Sequence, residues 1–171
     1  MARDAVDLVL EQWERARPDL DASPMGVLGR LSRLSRILDH ELKTLFGRFG
    51  LERGEFDVLG TLRRAASPEG TMTAGMLARS SMVTAGAVTN RLDRLVAKGY
   101  VTRELDPANR RTVIVALTPS GRELIDRAVA AHVDNERRLL AGLDRHQQDD
   151  LAATLRTLLL SLGDDVSHEA R

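Results

Sequence analysis

The chain has 171 residues, 43% apolar and 29% charged, with no cysteine and a formal net charge of zero. That length suits one domain with helical extensions, the missing cysteine excludes disulfides and thiol chemistry, and overall neutrality excludes a general polyanion binder. The N-terminus lacks the apolar core of a secretion signal and no uncharged run is long enough to span a bilayer, so a cytoplasmic protein without membrane contact is expected.

The elements follow from spacing. Val6, Val9, Leu10 and Trp13 recur at helical intervals between Asp4 and Arg17, and Pro18 ends that helix in the connector "PDLDASP". Ser23-Pro24 starts a long second helix, its stripe running Leu28, Leu31, Leu34, Ile37, Leu38, Leu42, Leu45 and Phe46 until Gly50 supplies a left-handed stop. A third helix over 53–65 turns Phe56, Leu59 and Leu62 inward. "ASPEGTMT" reads as a loop, 73–79 as a short helix, "SSMV" as a turn, and 84–98 as a helix ended by Gly99. "YVTREL" and "TVIVAL" flank the turn "DPANRR" as a β-hairpin. Helix resumes at Thr118-Pro119 and runs on towards Leu143. A last helix spans 145–162, with Leu151, Leu155, Leu158, Leu159 and Leu162 on one side and a frayed tail beyond.

This order predicts a mainly α protein with a small β-hairpin wing, in which a winged helix-turn-helix is flanked by N- and C-terminal dimerisation helices. Residues 1–50 form the N-terminal helices, 51–117 the DNA-binding domain and 118–171 the C-terminal helices. The terminal aliphatic stripes are longer than so small a central module covers, so a symmetric homodimer is expected.

Charge is unevenly spread. Between Arg79 and Arg111 stand seven basic residues against three acidic ones, a local footprint for double-stranded DNA on a neutral molecule. In the 84–98 helix, Val88, Leu92, Leu95 and Val96 share the face expected to pack. Gly86, Ala87, Asn90 and Arg94 point away from it. Small residues at the N-terminal end let a recognition helix approach base edges; Thr84 serves as cap and phosphate contact, with Thr89, Asn90 and Arg94 further along. Arg110 and Arg111 in the hairpin turn suit a minor groove or its phosphates.

The run "LARSSMVTAGAVTNRLDRLVAKGYVTRELDPANRRTVIVALTPSGREL" resembles the MarR family of dimeric winged-helix transcriptional regulators, and the resemblance extends from about Met25 to Leu162. It implies a dimer binding a palindromic operator, with Arg111 entering the minor groove. An acidic residue commonly braces that arginine from two positions before; here Asn109 stands there. The extra first helix, with "QWERARPDLD", looks like the urate-responsive, PecS-like branch of that family. The resemblance implies four ligand-responsive residues: Trp13, Asp57, Arg91 and Arg103. The effector would be urate or a related aromatic anion, and the output repression released by it. Geometry adds that Arg91 lies about 90° from the packing face, at the edge of its helix, where it can turn inward. A purine anion wants a face to stack on, a guanidinium to pair with and a polar partner. On residue grounds alone Trp13 also suits a helix anchor, Asp57 a local cap, and the two arginines phosphate contacts.

Two rival classes remain open at this point, a regulator controlled by a metal through His40 and Glu41 or His132 and Glu136, and a winged-helix dimer that binds only protein. No nucleophile and base pairing and no Gly-rich phosphate loop appears, so neither an enzyme nor a resident cofactor is expected.

Overall fold

A computed structural model describes residues 2–65, 71–80 and 85–165, and each helix expected from periodicity is present within them. The expected loop over 66–70, the turn over 81–83, Thr84, and the tail beyond 165 (with His168) lie outside the described residues. The chain forms two compact units, Met1–Ala128 and Val129–Arg171.

In the first unit, α1 (Ala5–Ala16) begins at a capping box. The Asp4 carboxylate accepts from the backbone N–H groups of Val6 and Asp7, and Asp7 accepts from that of Asp4. α1 packs on α2 (Ser23–Gly47) where α2 has only glycine to offer. A Cβ on Gly29 would stand 3.3 Å from Val6 Cγ1, and one on Gly26 3.5 Å from Leu10 Cδ1. The pair is fastened by Arg30, which donates to Asp4 Oδ2 at 2.8 Å, Asp7 Oδ1 at 2.6 Å and the Gly26 carbonyl at 3.0 Å. In the middle of α2 part of the apolar stripe is uncovered: Leu28 is 61% exposed, Leu34 49% and Ile37 53%.

After Gly50 (φ 67°) the chain enters α3 (Arg53–Arg64), the centre of the core. Phe46 of α2 stacks on Phe56 at a centroid distance of 4.0 Å, and Val58, Leu59 and Leu62 are fully buried. Each such aliphatic side chain contributes about 1.5–3 kcal/mol by leaving water. Around α3 lie α4 (Ala74–Ser80) and α5 (Ala85–Ala97), the latter burying Val88, Leu92 and Leu95. Val96 departs from expectation: it is 40% exposed, because the packing face is narrower than four residues.

The sheet also differs from the expected lone hairpin. Residues 71–73, read as loop, are the strand β1 (Thr71–Thr73), paired antiparallel with β3 (Val113–Leu117), which in turn pairs with β2 (Val101–Leu105). The order is β1-β3-β2. A three-residue strand has too few positions for alternation to show; the free edge of β3 makes it.

α6 (Pro119–Leu139) starts in this unit. Thr118 Oγ1 accepts the Gly121 N–H and donates to the Gly99 carbonyl, seating the helix on the end of α5. Gly121 is obligatory there, since a Cβ would fall 2.0 Å from the Tyr100 carbonyl oxygen. In the second unit α6 ends at Leu139, earlier than expected, and a turn leads to α7 (Arg145–Ser161), capped by Asp144. No α7 residue is buried; Leu159 and Leu160 are about half exposed. Among the described residues no helix is long and apolar enough to cross a membrane.

Candidate nucleic-acid interface and effector site

The helix-turn-helix consists of α4 and α5. Gly86 and Ala87 stand in the first turn of α5, and Thr89 and Asn90 are exposed one turn on. The edge of α5 next to Asn90 is a seam of cations. Arg91, Arg94 and Lys98 follow at i, i+3 and i+7, one face of a helix, and all three meet the N-terminal turn of α3. Lys98 Nζ donates to both Glu55 oxygens, at 2.8 and 2.7 Å, and to the Gly50 carbonyl at 2.9 Å. Arg94, expected at DNA, lies with Nη2 3.0 Å from Glu52 Oε2 and Nε 3.7 Å from Glu55 Oε1. Its guanidinium therefore reaches DNA only by leaving Glu52.

Glu55 is fully buried and completes a capping box by accepting from the Glu52 N–H at 2.8 Å. A buried carboxylate persists only when charge and hydrogen bonds compensate it; here Lys98, Arg94 and a backbone N–H do so. Glu52, Glu55 and Lys98 went unnoticed in the sequence. The available signal was a pair of acids three apart at a helix start, facing cations at i, i+3 and i+7.

Arg91 is held differently. Its guanidinium lies on Gly54, where a Cβ would fall 2.3 Å from Nε and 2.5 Å from Cζ. Nη1 is buried and has no hydrogen-bond partner among the described residues. The arginine thus turns inward onto α3. Asp57 stands on α3 one turn past Gly54 and is exposed. Arg103, on β2, pairs with Asp93 of α5, and Asp93 lies about 200° around that helix from Arg91. Trp13 is 38% exposed on α1, and no described contact joins its ring to the other three. The groove between α1 and α2 is lined by Val6, Val9, Met25 and Leu28 with Arg33 and Arg36, and leaves Trp13 out.

The wing is shaped by its turn. Asp106 Oδ1 accepts the Ala108 N–H at 2.8 Å, and Asn109 Oδ1 accepts the backbone N–H of Arg111 at 3.1 Å. Asn109 thus fixes the backbone at Arg111, and Arg110 and Arg111 are both exposed. His132 Nε2 lies 3.2 Å from Glu136, and no group of three or more His, Asp or Glu side chains converges as a metal site among the described residues.

A model described as MarR family matches residues 49–112. The HTH-type transcriptional regulator PecS of Dickeya dadantii (strain 3937) is 38% identical over 147 residues, covering 86% of this chain and 88% of PecS. This chain belongs to the MarR family. Like its relatives it is a transcriptional regulator and DNA-binding protein, not an enzyme. Two solved MarR-family structures place the fold beside DNA. Sco3205 of Streptomyces coelicolor, in complex with DNA, superposes with a TM-score of 0.74 at 26% identity, covering 84% of this chain and 90% of that one. A mutant MarR from E. coli complexed with operator DNA gives a TM-score of 0.68 at 26% identity, covering 86% and 97%.

Proposed function

We propose that this MarR-family regulator is a homodimeric repressor of a palindromic operator, released by a small aromatic anion such as urate. The observation that carries the effector reading is Arg91. A recognition-helix arginine ordinarily contacts phosphate, but this one is folded onto α3 with Nη1 buried and unpartnered. A guanidinium in that condition gains a charge-assisted pair when an anion arrives. Asp57, one turn along α3, offers an acceptor for a purine N–H. Trp13 offers a ring face, and Arg103 a second guanidinium once it exchanges Asp93 for the ligand.

DNA reading falls to Thr84, Gly86, Ala87, Thr89 and Asn90 of the helix-turn-helix, to Arg94, and to Arg110 and Arg111 of the wing. The MarR-family structures bound to DNA support this use of the fold. The uncovered stripes Leu28–Leu34–Ile37 of α2 and Leu159–Leu160 of α7 support burial between two copies.

The test uses a fluorescein-labelled operator that the protein itself selects from random duplexes. Anisotropy should report salt-dependent binding that millimolar urate weakens, with Trp13 emission quenched in the same titration. Operator affinity unchanged by urate, with silent Trp13 emission, refutes the effector reading. A monomer by light scattering refutes the dimer.

A further inference from the structure

We propose that Gly54 is a positioning residue: its missing side chain stores the Arg91 guanidinium on α3 and so keeps a recognition-helix arginine off DNA. The storage mechanism rests on geometry alone; its consequence for release rests on the effector reading above.

Three cations line this edge of α5, and two are anchored independently of position 54. Lys98 holds Glu55 and the Gly50 carbonyl, and Arg94 holds Glu52. The three atoms nearest the space above Gly54 all belong to Arg91, with Nε, Cζ and Nη2 at 2.3, 2.5 and 2.9 Å from where a Cβ would be. Non-bonded carbons do not approach so closely, so a Cβ evicts the guanidinium. The crowded atoms are the far end of a flexible side chain. α3 and α5 therefore stay in place, held by the buried Glu55 network, while the arm swings out. Beside it on α5 is Asn90, exposed. A released guanidinium at that edge falls within reach of a DNA phosphate.

Glycine is a poor choice for the second position of a helix, where it lowers propensity relative to alanine. Its presence in α3 is accounted for by the arginine lying on it. One residue thus separates two uses of Arg91: a phosphate contact when position 54 carries a Cβ, and an inward cation when it does not.

The experiment compares the natural chain, Arg91→Ala, Gly54→Ala and the double variant on the selected operator, measuring affinity from 50 to 200 mM salt. Each phosphate contact contributes about 0.9 to the slope of log K against log salt. Arg91→Ala alone should leave the slope unchanged, because the stored arginine touches no phosphate. Gly54→Ala should steepen it by about 1.8 for two protomers, an extra loss of about 12-fold over that salt range. The double variant should return to the natural slope. Urate release should be blunted in Gly54→Ala. A slope that already flattens in Arg91→Ala, or one that does not change in a folded Gly54→Ala, overturns the proposal. Should Gly54→Ala fail to fold, Arg91→Ala alone still decides whether the arginine is on DNA. If the slopes behave as expected while urate has no effect on the natural chain, the effector reading falls and the storage of Arg91 stands.

Discussion

Lys98→Met removes the ammonium against which Glu55 is buried. In the natural chain that carboxylate is 0% exposed and takes two hydrogen bonds from Lys98, one from the Glu52 N–H, and a longer approach from Arg94 at 3.7 Å. Breaking a buried pair from one side costs about 3–5 kcal/mol, because the remaining charge stays desolvated. Here the Lys98 side chain is itself 36% exposed, so water can take part of its place, and Arg94 remains nearby. The cost therefore falls below that range, to about 2–3 kcal/mol. For a chain of this size that is a fall of about 5–10 °C in Tm. The assay is thermal melting by circular dichroism for Lys98→Met, Glu55→Gln and the double variant, in 0.1 and 1 M salt. Their coupling should be about 1.5–3 kcal/mol, and high salt should not erase it, since ions screen a buried pair poorly. An exposed control such as Arg145→Ala, which loses the surface pair with Asp149, should move within about 0.5 kcal/mol. Additive single variants, or a Lys98→Met protein melting with the natural chain, would show that Glu55 is solvated and that the α3–α5 seam is held by apolar packing alone.

Gly121→Ala should lower the unfolding free energy by about 2 kcal/mol or more, read as a lower urea midpoint, because its Cβ meets the Tyr100 carbonyl, backbone that cannot step aside. Asn109→Ala should weaken operator binding roughly 3–10-fold by freeing the Arg111 N–H, the worth of one hydrogen bond, as anisotropy will report. Arg30→Ala should loosen α1, read as faster tryptic cleavage after Arg15, which Ala16 follows. The pH dependence has a definite sign. The Asp4 carboxyl is held below its ordinary value of 3.8 first by the Asp7 N–H, then by the Val6 N–H and by Arg30. A lowered carboxyl stabilises the fold above its unfolded value and loses that contribution as pH falls through the folded one. The attachment of α1 should therefore be constant from pH 8 to about 5 and weaken below about 4, followed through Trp13 emission.

Much of the fold was legible because helical periodicity states which residues of a helix are buried. Phe56, Leu59 and Leu62 of α3 and Val88, Leu92 and Leu95 of α5 are examples, and Gly50 and Gly99 marked two helix ends by their left-handed backbone. Periodicity does not state what lies opposite. Arg94 read as a DNA contact because its direction was known and Glu52 was not. Glu55 drew no attention, since burial of a carboxylate depends on a lysine 43 residues later. The three residues of β1 carry no pattern of their own and owe their conformation to β3. In the candidate effector site the inward turn of Arg91 was visible as an edge position on a helical wheel. The glycine that receives it was not, because an empty space leaves no mark in a hydrophobic pattern.

Magnitudes decide whether so local a site can control DNA binding. An effector that changes operator affinity 5–150-fold needs a coupling free energy of about 1–3 kcal/mol. A hydrogen bond to a charged group is worth about 1.5–3 kcal/mol, so a single pairing difference between the free and DNA-bound arrangements of α5 suffices. Arg91 and Arg103 each supply one. On the proposed effector reading, an anion at Arg91 would meet Nη1, which has no partner to surrender among the described residues, so most of the gain would be kept. For Arg103 it must displace Asp93, and the net gain is smaller. On the proposed effector reading, that displacement would remove the Arg103–Asp93 ion pair between β2 and α5 and so loosen the wing against the helix it flanks. The proposed effector reading therefore predicts that the larger share of binding energy falls to Arg91 and the larger share of movement to Arg103. Arg91→Ala should chiefly weaken the ligand, whereas Asp93→Ala should leave the ligand bound but blunt its effect on DNA. Calorimetric Kd for urate, set beside the urate midpoint of operator release, separates the two; equal losses in both variants would refute this division of labour.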